Sequence, residues 1–376
     1  MTRKPPIFFA VLVVLTATAL HTALPHDTGV AHSHDDVPSA NPLPFKREKR
    51  GPVKAPPRLA ENVPVSGQGF WRFIAATNLM PVPAEALPSV VKAHSTLIVD
   101  AERDTVYWAL KGVGWIGFSN GLRDSWIVKA DASFTTNNVH GADILPRKGR
   151  LPLVAAADNE GHIVHLTDTT FRNPRTIIVP ETGPYSTNKS FRPTDVAFVS
   201  EHRLFVTDGY ARNFFMPATI EPFAHEEQFF GGRRMSRTAH GITYSPKEKS
   251  LLVSARPEGQ IQHWSVDKEE YLSIEGLPEG TLVCDVDLWG DYALVACLEN
   301  PRKAPGPLVI VNLKTKSIAS FIKPKEELGY DFAQHIHDAA WYFHKNGKRT
   351  DVYLLFTSWN PGGVGALKLV NHPETK

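Results

Sequence analysis

Apolar positions in this chain gather into short β-rich runs separated by Gly, Pro, Asn and Asp, and helical periodicity is weak throughout. The clearest unit reads His94 to Asp100, Thr105 to Lys111, Gly114 to Ser119 and Trp126 to Ala130, four runs with turn residues between them. Such units recur. Each opens on a similar triplet: Ala93-His94-Ser95, Val139-His140-Gly141, Pro193-Thr194-Asp195, Ala239-His240-Gly241, Val283-Cys284-Asp285 and Ile336-His337-Asp338. The spacing of about 49 residues is that of a propeller blade of kelch or related type. Six units need about 290 residues, and the stretch from Phe70 to Val370 is long enough to supply them. The pattern therefore predicts an all-β, six-bladed propeller. Phe70 to Ala75, ahead of the first blade, is expected to pair on the outer edge of the last one and close the ring.

The tightest hairpin is predicted in blade five, where Val283 to Trp289 and Tyr292 to Leu298 are joined by Gly290-Asp291. Counting outward from that turn sets Cys284 opposite Cys297, the only two cysteines. In an exported protein this predicts a cross-strand disulfide. The competing expectation is a free Cys284 thiol facing the channel.

The chain ends change the picture in one respect. Arg3 and Lys4 precede an apolar run from Ile7 to Leu20 that ends in Ala17-Thr18-Ala19, the layout of a secretory signal peptide. The run is short for the roughly 20 residues a bilayer span needs. Residues 1–20 are thus expected to be a signal peptide, 21–69 a disordered linker rich in His, Pro and charge, and 70–376 the propeller. The protein is expected to be secreted or periplasmic, with no stable membrane span after signal cleavage. A net charge of +2 without a basic stripe argues against nucleic acid as partner.

The first strand of a propeller blade lines the central channel, so matching triplet residues form a ring. His140, His240 and His337 belong to blades two, four and six, which stand about 120° apart around the axis. Three imidazoles with an open further position are the donor set of a catalytic zinc site; the alternative is a set of channel-lining groups bridged by water. His94 stands at the same level in blade one, off the three-fold pattern, and is read as a channel residue. Residues just after the second strands face the same mouth: Lys111, Asp158, Tyr210, Arg256 and Trp359. Tyr is a general base once a cation lowers its pKa, and Arg is a bidentate clamp for a carboxylate. Asp338 offers the oxygen chemistry that Ca²⁺ takes; its alternative is a hydrogen bond locking two blades.

Arg192-Pro193-Thr194-Asp195-Val196-Ala197-Phe198, continuing to Phe205-Val206-Thr207-Asp208-Gly209-Tyr210, resembles the NHL-type six-bladed propeller of the peptidylglycine amidating lyases. In that family a PTDVAV segment leads into a VSDGY segment with the catalytic Tyr, which Tyr210 matches. Ala239-His240-Gly241 followed by Ser254-Ala255-Arg256-Pro257-Glu258-Gly259 is similar to a second family segment, with Arg256 in the place of an active-site Arg. Val139-His140-Gly141 and Ile336-His337-Asp338 are similar to the two remaining zinc-histidine segments, and Asp338 follows the last His as does the family's structural-calcium Asp. The resemblance implies Zn²⁺ as catalytic cofactor, Ca²⁺ as structural candidate, and a small-molecule or peptide substrate with a free carboxylate. It also has departures. Val139, Ala239 and Ile336 stand where the family has Pro, Lys111 where it has a first-blade Arg, and Ala211 where it has Cys after the Tyr. No copper hydroxylase segment precedes the propeller, so a separate hydroxylase is expected to supply substrate.

Three functions follow as expectations. The first is a secreted zinc lyase cleaving a peptidyl-α-hydroxyglycine-like carbinolamide to an amide and glyoxylate. The second is a metal-binding propeller acting as a binding or scaffold module. The third, lactone hydrolysis, ordinarily uses an Asp/Glu/Asn-rich calcium site, which three channel histidines oppose.

Overall fold

A computed structural model describes Leu43–Pro44, Lys46–Arg47 and residues 63–370, apart from 92, 233–234, 236–237, 269–270, 278–279 and 300–302. The expected signal peptide and most of the expected linker lie outside the described residues. Among the described residues no helix is long and apolar enough to cross a membrane.

Six antiparallel sheets form the six blades of a β-propeller. Their innermost strands are β1 (Leu97–Asp100), β2 (Val139–Leu145), β3 (Asp195–Ser200), β4 (Ala239–Ser245), β5 (Leu282–Trp289) and β6 (Ile336–Asn346). Second strands such as Thr105–Leu110, Leu153–Asp158 and Ser250–Ala255 are buried along their whole length. Each is sandwiched between neighbouring blades, which is why these strands read as continuous apolar runs rather than as alternation. The core accordingly lies between blades. Trp341 and Leu354 of blade six pack with Leu294 and Ile310 of blade five, and Val196 and Leu204 of blade three with Ala155 and Val164 of blade two.

Ring closure follows the expectation. Trp71–Ala75 pairs antiparallel with Gly363–Leu369 and becomes the fourth strand of blade six. One further strand, Ser66–Gln68, lies inside the stretch expected to be linker and pairs with Trp71–Ala75 as a fifth. It laces blade six to blade five: the Gln68 N–H donates to Ser320 Oγ at 2.9 Å, and the Lys323 N–H donates to Ser66 Oγ at 2.7 Å. Within the same expected linker, Leu43–Pro44 and Lys46–Arg47 pair in parallel with the outer strands of blades four and five.

Four of the six blade junctions carry one kind of staple, an inner-strand Asp whose carboxylate accepts a backbone N–H of the next blade. Asp143 accepts from Phe198, Asp195 from Ile242, Asp287 from Trp341 and Asp338 from Leu97, at 2.7 to 2.8 Å. Asp338 therefore makes the blade-locking bond that was the alternative to calcium. Burial pushes the carboxyls of Asp143 and Asp287 up to about 6 and about 7, against the pull of two backbone N–H bonds apiece.

The two cysteines are free and buried. The hairpin register runs as expected from Trp289↔Tyr292 to Asp285↔Ala296, then shifts, so that Cys297 faces Val283 and Cys284 is the extra residue of a β-bulge. The expected disulfide is thereby lost, because the bulge turns Cys284 into the packing against blade six while Cys297 packs toward blade four.

Candidate metal centre

The bulge at Cys284 is one of a set. Strand pairing jumps across His140, between Val139 and Gly141, and across His337, between Ile336 and Asp338; it is also broken between Ala239 and Ile242, where His240 stands. A bulged residue is released from strict alternation and re-aims its side chain, and here the side chains converge on the axis. The Nε2 atoms of His140 and His337 approach to 3.1 Å, and metal-binding atoms of His94, His140, His240 and His337 all lie within 4.8 Å of one another.

Each of the three even-blade histidines is held from behind by the next odd blade. His140 Nδ1 donates to the Thr194 carbonyl at 2.6 Å, His240 Nδ1 to the Cys284 carbonyl at 2.9 Å, and His337 Nδ1 to the Ser95 carbonyl at 3.0 Å. A carbonyl only accepts, so the proton sits on Nδ1 and the Nε2 lone pair points inward. This is the arrangement that orients metal-ligating imidazoles. Close approach of the neighbouring blade requires the residue after the His to be small in two cases. A Cβ at Gly141 would run into the Thr194 carbonyl and Asp195, and one at Gly241 would stand 2.7 Å from the Cys284 carbonyl oxygen.

The matching acceptor in blade one is Ser95 and not His94, so the triplet alignment of blade one is displaced by one residue. His94 is half-buried and meets the ring from the mouth side, its imidazole 5.3 Å from Trp359. Its proximity to the other three, at ring separations of 4.2 Å to His337 and 4.4 Å to His140, makes the cluster one of four. Among the described residues no carbonyl accepts from its ring. Burial, followed by the charge of His337, holds His94 and His140 well below the usual imidazole range. Burial lowers His240 similarly, with the Arg256 charge next, and His337 to about 3. All four are thus neutral near pH 7.

Tyr210 lies over the cluster. Its hydroxyl is 3.0 Å from His140 Nε2, 3.1 Å from His240 Nε2 and 3.3 Å from His94 Nε2, and it accepts an N–H from Arg256 Nη1 at 3.2 Å. Burial raises the phenol pKa, with the Arg256 guanidinium pulling the other way. One hydroxyl proton satisfies one Nε2 at most, so at least two inward lone pairs of the carbonyl-held trio lack a proton to accept. A cation fits that deficit. Two nitrogens about 2.0–2.1 Å from one zinc ion at the tetrahedral angle stand roughly 3.3 Å apart, close to the observed 3.1 Å.

The other expected site residues are placed differently. Lys111 is exposed and its Nζ pairs with Glu160 Oε2 at 2.5 Å, away from the cluster. Asp158 holds its own turn through the Glu160 and Gly161 N–H groups. Asp338 is outside the histidine group and hydrogen-bonds Asp285. Burial pushes both carboxyls up, helped by the charge of each on the other in the case of Asp285. This pair, with Asp195 and the ring histidines, lines a channel cavity of about 320 Å³. Tyr210 and Arg256 are not among the residues that line it.

A six-bladed propeller with four channel histidines clustered beneath a Tyr–Arg pair is the class that fold and site define. No protein-family model matches the chain, and no curated protein matches it. Among solved structures, a chain of the crystal structure of a nidogen/laminin complex is similar over 73% of this chain and 97% of its own, at 10% identity and a TM-score of 0.47.

Proposed function

We propose that the chain is a secreted, zinc-dependent lyase that cleaves a carbinolamide, a peptidyl-α-hydroxyglycine-like substrate, into an amide and glyoxylate. The observation that carries this reading is the gathering of three carbonyl-held Nε2 lone pairs beneath Tyr210: those of His140 and His240 lie 3.0 and 3.1 Å from its hydroxyl, that of His337 lies 3.1 Å from His140 Nε2, and the hydroxyl also bonds Arg256. His140, His240 and His337 would hold the ion, with His94 beside them. When bound, zinc supplies Lewis acidity toward a substrate oxygen and lowers the pKa of acidic groups around it.

The chain's own residues do the rest. Tyr210, ionised, accepts the proton of the substrate hydroxyl as the C–O bond becomes a carbonyl and the C–N bond breaks. The same proton ends on the departing amide nitrogen, so the reaction balances without an oxidant or reductant. Arg256 holds the carboxylate. The ring histidines, neutral and pinned at Nδ1, move no proton. A separate hydroxylase would supply the substrate.

The test is glyoxylate release from α-hydroxyhippurate by zinc-loaded protein. Tyr210→Phe is expected to keep zinc and fold while turnover falls about 10²- to 10⁴-fold, the range for loss of a general base. Arg256→Ala is expected to raise KM for carboxylate substrates more than for neutral ones. Zinc-loaded wild type that releases no glyoxylate makes the same centre a metal-dependent binding module instead.

A further inference from the structure

Two guanidinium groups, not one, face Tyr210. Arg256 Cζ stands 5.5 Å from the phenol ring centroid and Arg192 Cζ 5.6 Å. Arg256 has its N–H fork partly engaged, with the Tyr210 hydroxyl and with the Cys284 thiol. Arg192 differs. Its guanidinium carbon lies over the ring, and no carboxylate among the described residues pairs with it. The residue is exposed, yet its backbone is fixed. Its N–H donates to Asp208 Oδ1 at 2.6 Å, and the same carboxylate takes the Tyr185 hydroxyl at 2.6 Å and the Arg212 N–H at 3.1 Å. Asp208 thus ties the base of Arg192 to the loop that carries Tyr210. Lys111, the other cation expected at this mouth, is neutralised by Glu160.

We propose that Arg192 is a second anion-binding residue of the mouth, sharing with Arg256 the two oxygens of a substrate carboxylate held over Tyr210. The assignment rests on the proposed reading of the site as one that takes carboxylate substrates, and it makes Arg192 a specificity-determining residue. A planar carboxylate suits two guanidinium edges because each oxygen accepts along its own lone pairs. With Arg256 partly engaged, one guanidinium leaves part of that capacity unfilled.

The experiment uses hippurate and its uncharged methyl ester, which lack the α-hydroxyl and so bind without being cleaved. Titration calorimetry on zinc-loaded full-length protein gives both affinities, and metal analysis is run on every variant. Wild type is expected to prefer the acid. Arg192→Ala is expected to weaken hippurate roughly tenfold to hundredfold, the size of a lost charge-assisted hydrogen bond. It should leave the ester within about twofold and zinc content unchanged, with Arg192→Lys in between. The proposal is overturned by wild type without preference for the acid, by an Arg192→Ala variant that binds hippurate like wild type, or by equal loss of acid and ester. Selective weakening of hippurate in a protein that releases no glyoxylate supports Arg192 and removes the lyase reading. Glyoxylate release with hippurate affinity unmoved in Arg192→Ala does the reverse.

Discussion

Even and odd blades contribute to the centre in different currencies. Blades two, four and six bring side chains, the imidazoles of His140, His240 and His337, whereas blades one, three and five bring backbone, the carbonyls of Ser95, Thr194 and Cys284 that fix those imidazoles. The difference explains the residue types. A lone pair offered to a metal needs a side chain of suitable chemistry, here His, but a carbonyl is supplied by any residue, and Ser, Thr and Cys occupy the three odd positions. What the odd blades demand instead is space, and it is met by Gly141 and Gly241 on the even side.

The largest expected effect comes from breaking the even side. His140→Ala, His240→Ala and His337→Ala are each expected to lower zinc affinity more than a hundredfold, beyond the roughly 10- to 100-fold that loss of an orienting partner costs. Cys284→Ser on the odd side should stay near wild type, since its carbonyl remains. His94→Ala should fall between, because its imidazole belongs to the cluster while no carbonyl among the described residues accepts from its ring. Metal analysis after competition with a chelator ranks the variants, and equal losses for all four histidines would erase the alternation.

An intermediate effect is expected from closing the space. The Cβ of Gly241→Ala meets the carbonyl that holds His240, so that blade must shift. A loss of about 1–3 kcal/mol in stability is expected from such overpacking, with zinc affinity lowered roughly tenfold as the imidazole loses its anchor. Denaturant unfolding and zinc titration read the two together.

The smallest effect concerns the staples, which serve both kinds of blade alike. Asp287 has its folded pKa raised to about 7, above the unfolded value of about 3.9. The folded state therefore binds the proton more tightly. Its contribution to stability is complete below the unfolded pKa and is lost as pH rises through about 7. Asp287→Asn is expected to flatten the dependence of stability on pH between about 4 and 7, while zinc content at pH 7.5 holds. A variant with the wild-type slope would show that this carboxyl is ionised throughout.

The same contrast decides what could be read from the amino-acid sequence. The repeat, the closing strand, the even-blade histidines and the mouth pair Tyr210 and Arg256 were legible, because each requires a particular side chain at a regular interval. Backbone roles leave no such mark. The displacement of blade one by a residue was hidden because His94 imitates the others in the triplet while Ser95 does the work of Thr194 and Cys284. The bulge at Cys284 was hidden because Cys284 continues the alternation of Asp285 to Leu288 and only Val283 breaks it, and with the bulge went the disulfide. Lys111 was misplaced because a register argument gives the mouth a side chain starts from and not the partner, Glu160, that captures it. Arg192 was in view as the first residue of a recognised segment, but its approach to Tyr210 joins the entrance of a first strand to the exit of a second, which only the folded loops bring together.

The strand that completes blade six precedes the inner strands of all six blades in the chain. As the polypeptide leaves a ribosome, Trp71–Ala75 emerges before any inner strand and waits for Gly363–Leu369, the last strand described. His337 and its acceptor Ser95 are likewise drawn from opposite ends of the ring. Such long-range pairings form late, since loop closure is paid for before the contacts reward it. A metal held by the whole circle would then be captured only by a finished chain, and uptake of the ion would signal that the circle has shut.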